Sequence, residues 1–354
     1  MTLILMDGFD KYASSTELPL IGPWTTWNQV DNQGTAIATS PVRTGAQSLR
    51  FASGNNNLIK KLVPASQEHV TFVVGFAMRI DTTPLTTYAV GGFTSDLLAT
   101  QHVNLSLNSN GSLKVERAPS TTLGTTTAGL IIPNVWYYIE FKATLSDTVG
   151  TVDLWINGVS VLSLTGQDTK NAGTKSVFDG LSLGAAFGGI NFYYDDVYFL
   201  NGAGSTNNDR LGDIRVRTIL PTANGASSAG LGSDGNSVNN YQLVDDTLMS
   251  AGAADYVDLQ VTNDTDTYGM GDLPETGGPV YAVQVSSYDQ KSDAGTRSIA
   301  HILRVAGTDY AGTDIVEALG TFVGHMTTWE LNPATSAQWS VADVNALEAG
   351  AKAR

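Results

Sequence analysis

Acid–base hydrolysis of a glycoside on a β-strand scaffold needs two carboxylates on one strand face, one to protonate the leaving oxygen and one to attack or to activate water. An E-x-D-x-E run supplies that spacing, and the chain has none. Glu140 in YYIEFK and Glu116 in LKVER each lack a carboxylate two or four residues away, and Asp153 in VDLW is equally isolated. All three are expected to be solvated strand residues. The histidines, His69, His102, His301 and His325, show no short metal-ligand spacing, so no zinc site is predicted and each is expected at the surface or a strand edge. A G-x-S-x-G elbow and a phosphate-cradling P-loop are both missing. These residues predict a chain that is not an enzyme.

Two further sets of residues have types suited to ligands. Asp195-Asp196 offers paired carboxylates, readable as hard-cation ligands or as one aspartate capping a β-bulge and one facing water. Asp264 and Asp266 alternate in DTDTY but lack the glycine and terminal glutamate of an EF-hand loop, so a polar turn is expected there. Trp24, Trp27 and Tyr88 lie in segments flanked by Pro, Gly and Thr. Core packing is one reading of them. The other is a loop platform on which a flat ring covers a sugar's apolar face, and these three are the ligand-binding candidates.

The elements that must position these side chains are strands. In VDLWING, Val152, Leu154 and Ile156 alternate with Asp153 and Trp155, and Asn157-Gly158 supplies the two positive-φ positions of a type I′ hairpin turn. WYYIEFKATL precedes it and INFYYDDVYFLNG follows. VTFVVGFAMRI places Val70, Phe72, Val74, Phe76, Met78 and Ile80 on one face of a central strand. VNLSLNSNGSLKVER reads as a second hairpin turning near Asn110-Gly111.

NGAGSTNND, from Asn201 to Asp209, has no apolar periodicity and marks a boundary between domains at 1–201 and 202–354. LGDIRVRTILP then alternates as a strand that Pro221 should stop. Thr222 to Asn240 is rich in Gly, Ser and Asn and is expected to be a mobile arm that orders against a neighbouring subunit. Strand-length segments continue to SVADVNALEAGAKAR, the one expected helix, with Ser340 and Asp343 forming a capping box and Gly350 ending it. The fold class is therefore all-β, with a second, smaller β-sandwich carrying a C-terminal helix.

Composition narrows the partners. The 34 acidic residues outnumber the 19 basic ones, for a net charge of −15, which repels a nucleic-acid backbone. No apolar run approaches the ~18 residues of a membrane span. Cysteine is absent, which excludes disulfides and thiolate-bound metals. The opening MTLILMDGFDKY has neither the length nor the basic start of a secretion signal, so a soluble product assembled in the cytoplasm is expected.

The strands from Trp136 to Asn201, with DGFDKY and TGAQSLRF, resemble the concanavalin A-like lectin/glucanase jelly roll. That resemblance implies a structural Ca2+ where the last strand meets the first, with Asp196, Asp7 and Gly45 at the matching positions. The succession of a D-D-V-Y strand (Asp195–Tyr198), an Asn-rich turn (Asn207-Asn208) and an L-G-D-x-R-V segment (Leu211–Val216) resembles tailed-bacteriophage virion proteins that carry such a domain. It implies a non-enzymatic structural protein in the virion, on tail or head, homo-oligomeric among other virion proteins and facing a host surface glycan. A glycan-degrading virion enzyme and a capsid cement protein without glycan affinity are the alternatives.

Overall fold

The protein is described by a computed structural model covering residues 2–28, 34–52, 58–184, 189–248 and 254–354, the side chains of 26–28 excepted. The chain divides into one unit of Met1–Phe9, Ser14–Pro19 and Pro23–Val216 and a second of Asp10–Ala13, Leu20–Gly22 and Arg217–Arg354. Both are built from antiparallel β-sheet.

Period-2 alternation makes the first unit a jelly-roll sandwich. One sheet runs in the order Val159–Gln167, Gly150–Ile156, Tyr137–Thr144, Thr71–Ile80, Phe192–Asn201, Ser48–Phe51, Thr35–Ala38, and Leu3–Asp7 also pairs with Phe192–Asn201. The facing sheet runs Thr121–Thr125, Leu113–Arg117, Thr100–Leu107, Tyr88–Ser95, Gly180–Leu183, Leu58–Leu62, Thr26–Asn28. Between them Phe93 stacks on Phe141 at 5.1 Å, and Phe72 meets Phe199 edge-on at 4.8 Å. Both expected hairpins form: Ile156 pairs with Val159 around Asn157 and Gly158 at φ 50° and 79°, and Leu107 pairs with Leu113. Val70, expected on the core face of the central strand, is exposed instead, just before Thr71–Ile80 begins.

The boundary falls at Val216/Arg217 rather than between Asn201 and Asp209, because the segment after Asn201 returns to the first sandwich. Leu211–Val216 does not form the expected strand. Its backbone donors go to buried side chains rather than to a neighbouring strand: Gly212 N–H to Glu140 Oε1 at 2.7 Å, Leu211 N–H to the Tyr198 hydroxyl at 3.0 Å, and Val216 N–H to Asp196 Oδ1 at 2.8 Å.

In the second unit a sheet runs Pro221–Ser228, Thr265–Met270, Glu348–Ala353, Ser298–Val305, Thr308–Ala311, with Ile315–Val316 also on Ser298–Val305. Val283–Asp289 pairs with Val323–Trp329, and Val283, Val285 and Trp329 pack on Leu303, Val305 and Ala349 of the larger sheet. Two expectations are corrected here. The supposed arm opens with the edge strand Pro221–Ser228, so Pro221 starts a strand instead of stopping one. A ladder is made by main-chain groups, which polar side chains do not prevent, and Asn240 closes the segment by donating to Asp266 Oδ2 at 2.8 Å. The helix is limited to Val341–Asn345; its capping box forms as expected, but Glu348–Ala353 becomes a central strand. Gly350 fits there because its neighbour crosses so closely that a Cβ would lie 1.9 Å from the Asp266 carbonyl.

Candidate functional site

In the seven-stranded sheet Phe93, Val103, Leu105, Val115 and Leu181 point into the core. The intervening residues therefore point outward. Register aligns five of them: Lys60 opposite Ser182, Ser182 opposite Gly92, Gly92 opposite Asn104, Asn104 opposite Glu116. Five adjacent strands thus contribute one residue each to a polar row about 19 Å long, from the ~4.8 Å strand spacing.

The row is internally organised. Glu116 is paired with Lys114 at 2.8 Å and accepts from the Ser106 hydroxyl at 3.2 Å. At its middle a Cβ on Gly92 would lie 2.8 Å from Asn104 Oδ1 and 3.0 Å from Gln101 Nε2, so the glycine lets both amides lie low over the sheet. Among the described residues Asn104 Oδ1 has no hydrogen-bond partner and is buried beneath its neighbours.

A rim stands at the Lys60 end. Asp96, Leu97 and Leu98 have φ of 54°, 60° and 69°, three consecutive left-handed residues costing about 1–2 kcal/mol each. Buried Asp179 holds them by accepting from Leu97 N–H at 2.7 Å and from the Lys175 ammonium at 3.0 Å. Asp96 accepts from Thr174 and Lys175, and those hydrogen bonds, Thr174's first, hold it well below the usual carboxylate range. Leu98 packs on Gly180, its carbonyl 3.5 Å from Lys60 Nζ, while Leu97 is 71% exposed.

Hydroxyl, amide, ammonium and carboxylate groups set at strand spacing suit a polyhydroxylated chain lying across the sheet. Among the described residues the row holds a single carboxylate, Glu116, which is ion-paired with Lys114. A facing general acid is therefore missing from the row.

The residues singled out by sequence lie elsewhere. Trp24 is buried, stacked on Phe9 at 6.4 Å and donating from Nε1 to Asp7 Oδ2 at 2.8 Å. Tyr88 is buried edge-on to Phe192 at 5.9 Å. Neither forms a platform, because both rings are buried in the core. Trp27 pairs through its backbone with Ile59, and its side chain lies outside the described residues.

The calcium expectation meets a guanidinium instead. A bulge between Asp195 and Tyr198 turns both aspartates inward, so neither faces water. Asp196 Oδ2 accepts from Arg43 Nη1 at 2.6 Å and Thr44 Oγ1 at 2.8 Å. Asp195 accepts from the N–H groups of Arg43, Thr44 and Asp196. Asp7 accepts from Phe9 N–H and Trp24. Calcium needs six to eight oxygen ligands, whereas N–H and O–H donors already address these carboxylates. Gly45, at φ 67°, turns the chain beyond Thr44.

Glu140, expected in solvent, is fully buried. It accepts from Tyr198 at 2.6 Å, Gly212 N–H and Arg210 at 3.0 Å, and burial together with this carboxylate raises Tyr198 well above its ordinary value. His102, also expected near the surface, is buried beside Ser95 at 2.7 Å. Its Nδ1 accepts from Asn171 N–H at 3.0 Å, so Nε2 carries the proton and donates to Ser95. The pair has the wrong tautomer to activate that serine.

Compared by sequence with protein-family models and with curated proteins, the chain matches none. Among solved structures it is similar to a cellulose-induced protein, Cip1, at 16% identity and TM-score 0.42, covering 59% of this chain and 99% of that one. It is similar to the alginate lyase Aly36B at 13% identity and TM-score 0.39, covering 56% and 96%. A Trypanosoma rangeli sialidase aligns at 11% identity and TM-score 0.33, covering 49% of this chain and 30% of that one. No residue role is transferred from them.

Proposed function

We propose that the chain is a non-enzymatic structural protein of a bacteriophage virion whose jelly-roll unit binds a host-surface glycan across its seven-stranded sheet. The observation that carries the glycan reading is the row Lys60, Ser182, Gly92, Asn104 and Glu116, set by register across five adjacent strands. Hydroxyl, amide, ammonium and carboxylate groups at strand spacing can address successive hydroxyls of a sugar chain. The single, ion-paired carboxylate supports binding without hydrolysis. The virion assignment rests on the D-D-V-Y, Asn-rich turn and L-G-D-x-R-V succession. In the fold its first and last parts meet, Val216 N–H returning to Asp196. Assembly in the host cytoplasm into a homo-oligomer among other virion proteins belongs to the same reading.

The test is retention of the purified chain on immobilised host-surface polysaccharides. Asn104→Ala should weaken retention by about tenfold, as loss of one buried hydrogen bond predicts. Equal retention of this variant would remove the row from the proposal. Release of oligosaccharides by the native chain would overturn the non-enzymatic reading. Antibody labelling of assembled particles checks the virion assignment, which fails if the particles carry no copies.

A further inference from the structure

The second unit contains a side-chain cluster unrelated to the polar row. Asp289 ends strand Val283–Asp289, His325 lies on its partner Val323–Trp329, and Glu317 follows the short strand Ile315–Val316. Their ligand atoms lie within 4.8 Å of one another. Glu317 is only 5% exposed, and among the described residues no donor reaches its two oxygens, Asp289 Oδ1 or His325 Nε2, the two carboxyl groups lying within hydrogen-bonding reach of each other. Two facing carboxylates are both acceptors, so a proton or a cation must lie between them.

A proton shared by the two carboxyl groups would leave His325 out, whereas the His325 distances fit a cation held by all three. His325 Nε2 is 3.4 Å from Asp289 Oδ1 and 3.8 Å from Glu317 Oε2, too long for N–H···O hydrogen bonds of about 2.7–3.2 Å. Zinc bonds of about 2.0–2.1 Å at the tetrahedral angle place ligand atoms about 3.3–3.4 Å apart, close to the first distance and within a small side-chain shift of the second.

Asp289 is also braced from behind. Its Oδ2 accepts from the Ser287 hydroxyl, Ser287 is 2.7 Å from His301 Nε2, and His301 Nδ1 is 2.8 Å from the Thr327 hydroxyl. Because Ser287 donates to Asp289, it accepts from His301 Nε2–H, and Nδ1 in turn accepts from Thr327. Burial holds His301 down to about 4, so the imidazole stays neutral and this relay stays intact. Such outer contacts are what aim a carboxylate at a metal.

We propose that Asp289, Glu317 and His325 form a site for one divalent transition-metal ion, with Zn2+ the best fit. Imidazole with two carboxylates suits zinc, and three protein ligands leave one coordination position to water. Calcium is disfavoured because the set supplies one nitrogen and too few oxygens.

The full chain, stripped with EDTA and exchanged into metal-free buffer at neutral pH, is titrated with ZnCl2 by calorimetry and melted with and without one equivalent. One Zn2+ per chain and a raised Tm are expected, with no comparable effect of CaCl2. His325→Asn and Glu317→Gln should each weaken zinc binding at least tenfold while remaining folded by circular dichroism. If Glu317→Gln fails to fold, His325→Asn alone decides, since His325 is only half-buried. Absence of zinc binding by the native chain, or unchanged zinc affinity in His325→Asn, would overturn the site and leave a shared proton as the bond between Asp289 and Glu317.

Discussion

Arg43 concentrates the residue-scale energetics of the jelly-roll unit. Its guanidinium is 2.6 Å from Asp196, also reaches the partly exposed Asp213, and lies 4.8 Å over the Tyr138 ring, so it is the cation beside the fully buried pair Asp195-Asp196. Burial, then the neighbouring Asp196 charge, pushes Asp195 up to about 8, against about 3.9 unfolded. A raised carboxyl stabilises the native state below about pH 4, and that contribution is lost as pH rises through 8. Arg43→Met leaves the pair without its cation, and a loss of about 3–5 kcal/mol is expected. The loss should be larger at pH 8 than at pH 5, where protonation relieves the repulsion. Urea unfolding of both proteins at the two pH values checks this, and a pH-independent difference would mean that Arg43 acts through packing alone.

At the scale of elements, the same residues can serve different structures depending on what lies beside them. The capping box of Ser340 and Asp343 forms as its spacing requires, yet the helix ends after five residues. Beyond it Glu348–Ala353 gains two strand neighbours, Thr265–Met270 and Ser298–Val305, and that pairing outweighs local helix propensity. Gly350 makes this possible, and Gly350→Ala should cost about 1–3 kcal/mol or more by forcing the Asp266 strand away. Thermal melting of that variant measures it; an unchanged Tm would show that the crossing is looser than drawn. The strained turn Asp96–Leu98 is a second case. Its three left-handed residues are held through Asp179, so Asp179→Asn should release the rim and weaken glycan retention more than it lowers the melting temperature.

For the molecule as a whole, the division at Val216 predicts that a chain ending at 216 melts cooperatively whereas one ending at 201 does not. The shorter chain strips Glu140 of Arg210 and Gly212 and strips Asp196 of Val216, leaving buried carboxylates short of donors. Equal melting of the two would place residues 202–216 outside the folding unit. What sequence alone determined is local: the all-β class, the strand faces, the Asn157-Gly158 and Asn110-Gly111 hairpins and the capping box all follow from period-2 burial and from turn or cap chemistry within a few residues. Asn104, Ser106 and Glu116 were legible as the outward positions of one hairpin, but their alignment with Lys60 and Ser182 was not, because register between distant strands is written nowhere along the chain. The histidines show the same limit. Spacing argued against zinc, while the fold brings His325 to Asp289 and Glu317 from three separate segments of the chain. Trp24 and Tyr88 were placed by flanking residues that suit loops, and the tertiary structure buried them because a core takes large rings wherever its sheets leave room. Convergence of side chains from distant strands is a property of the packed sheets, and only the tertiary structure decided it.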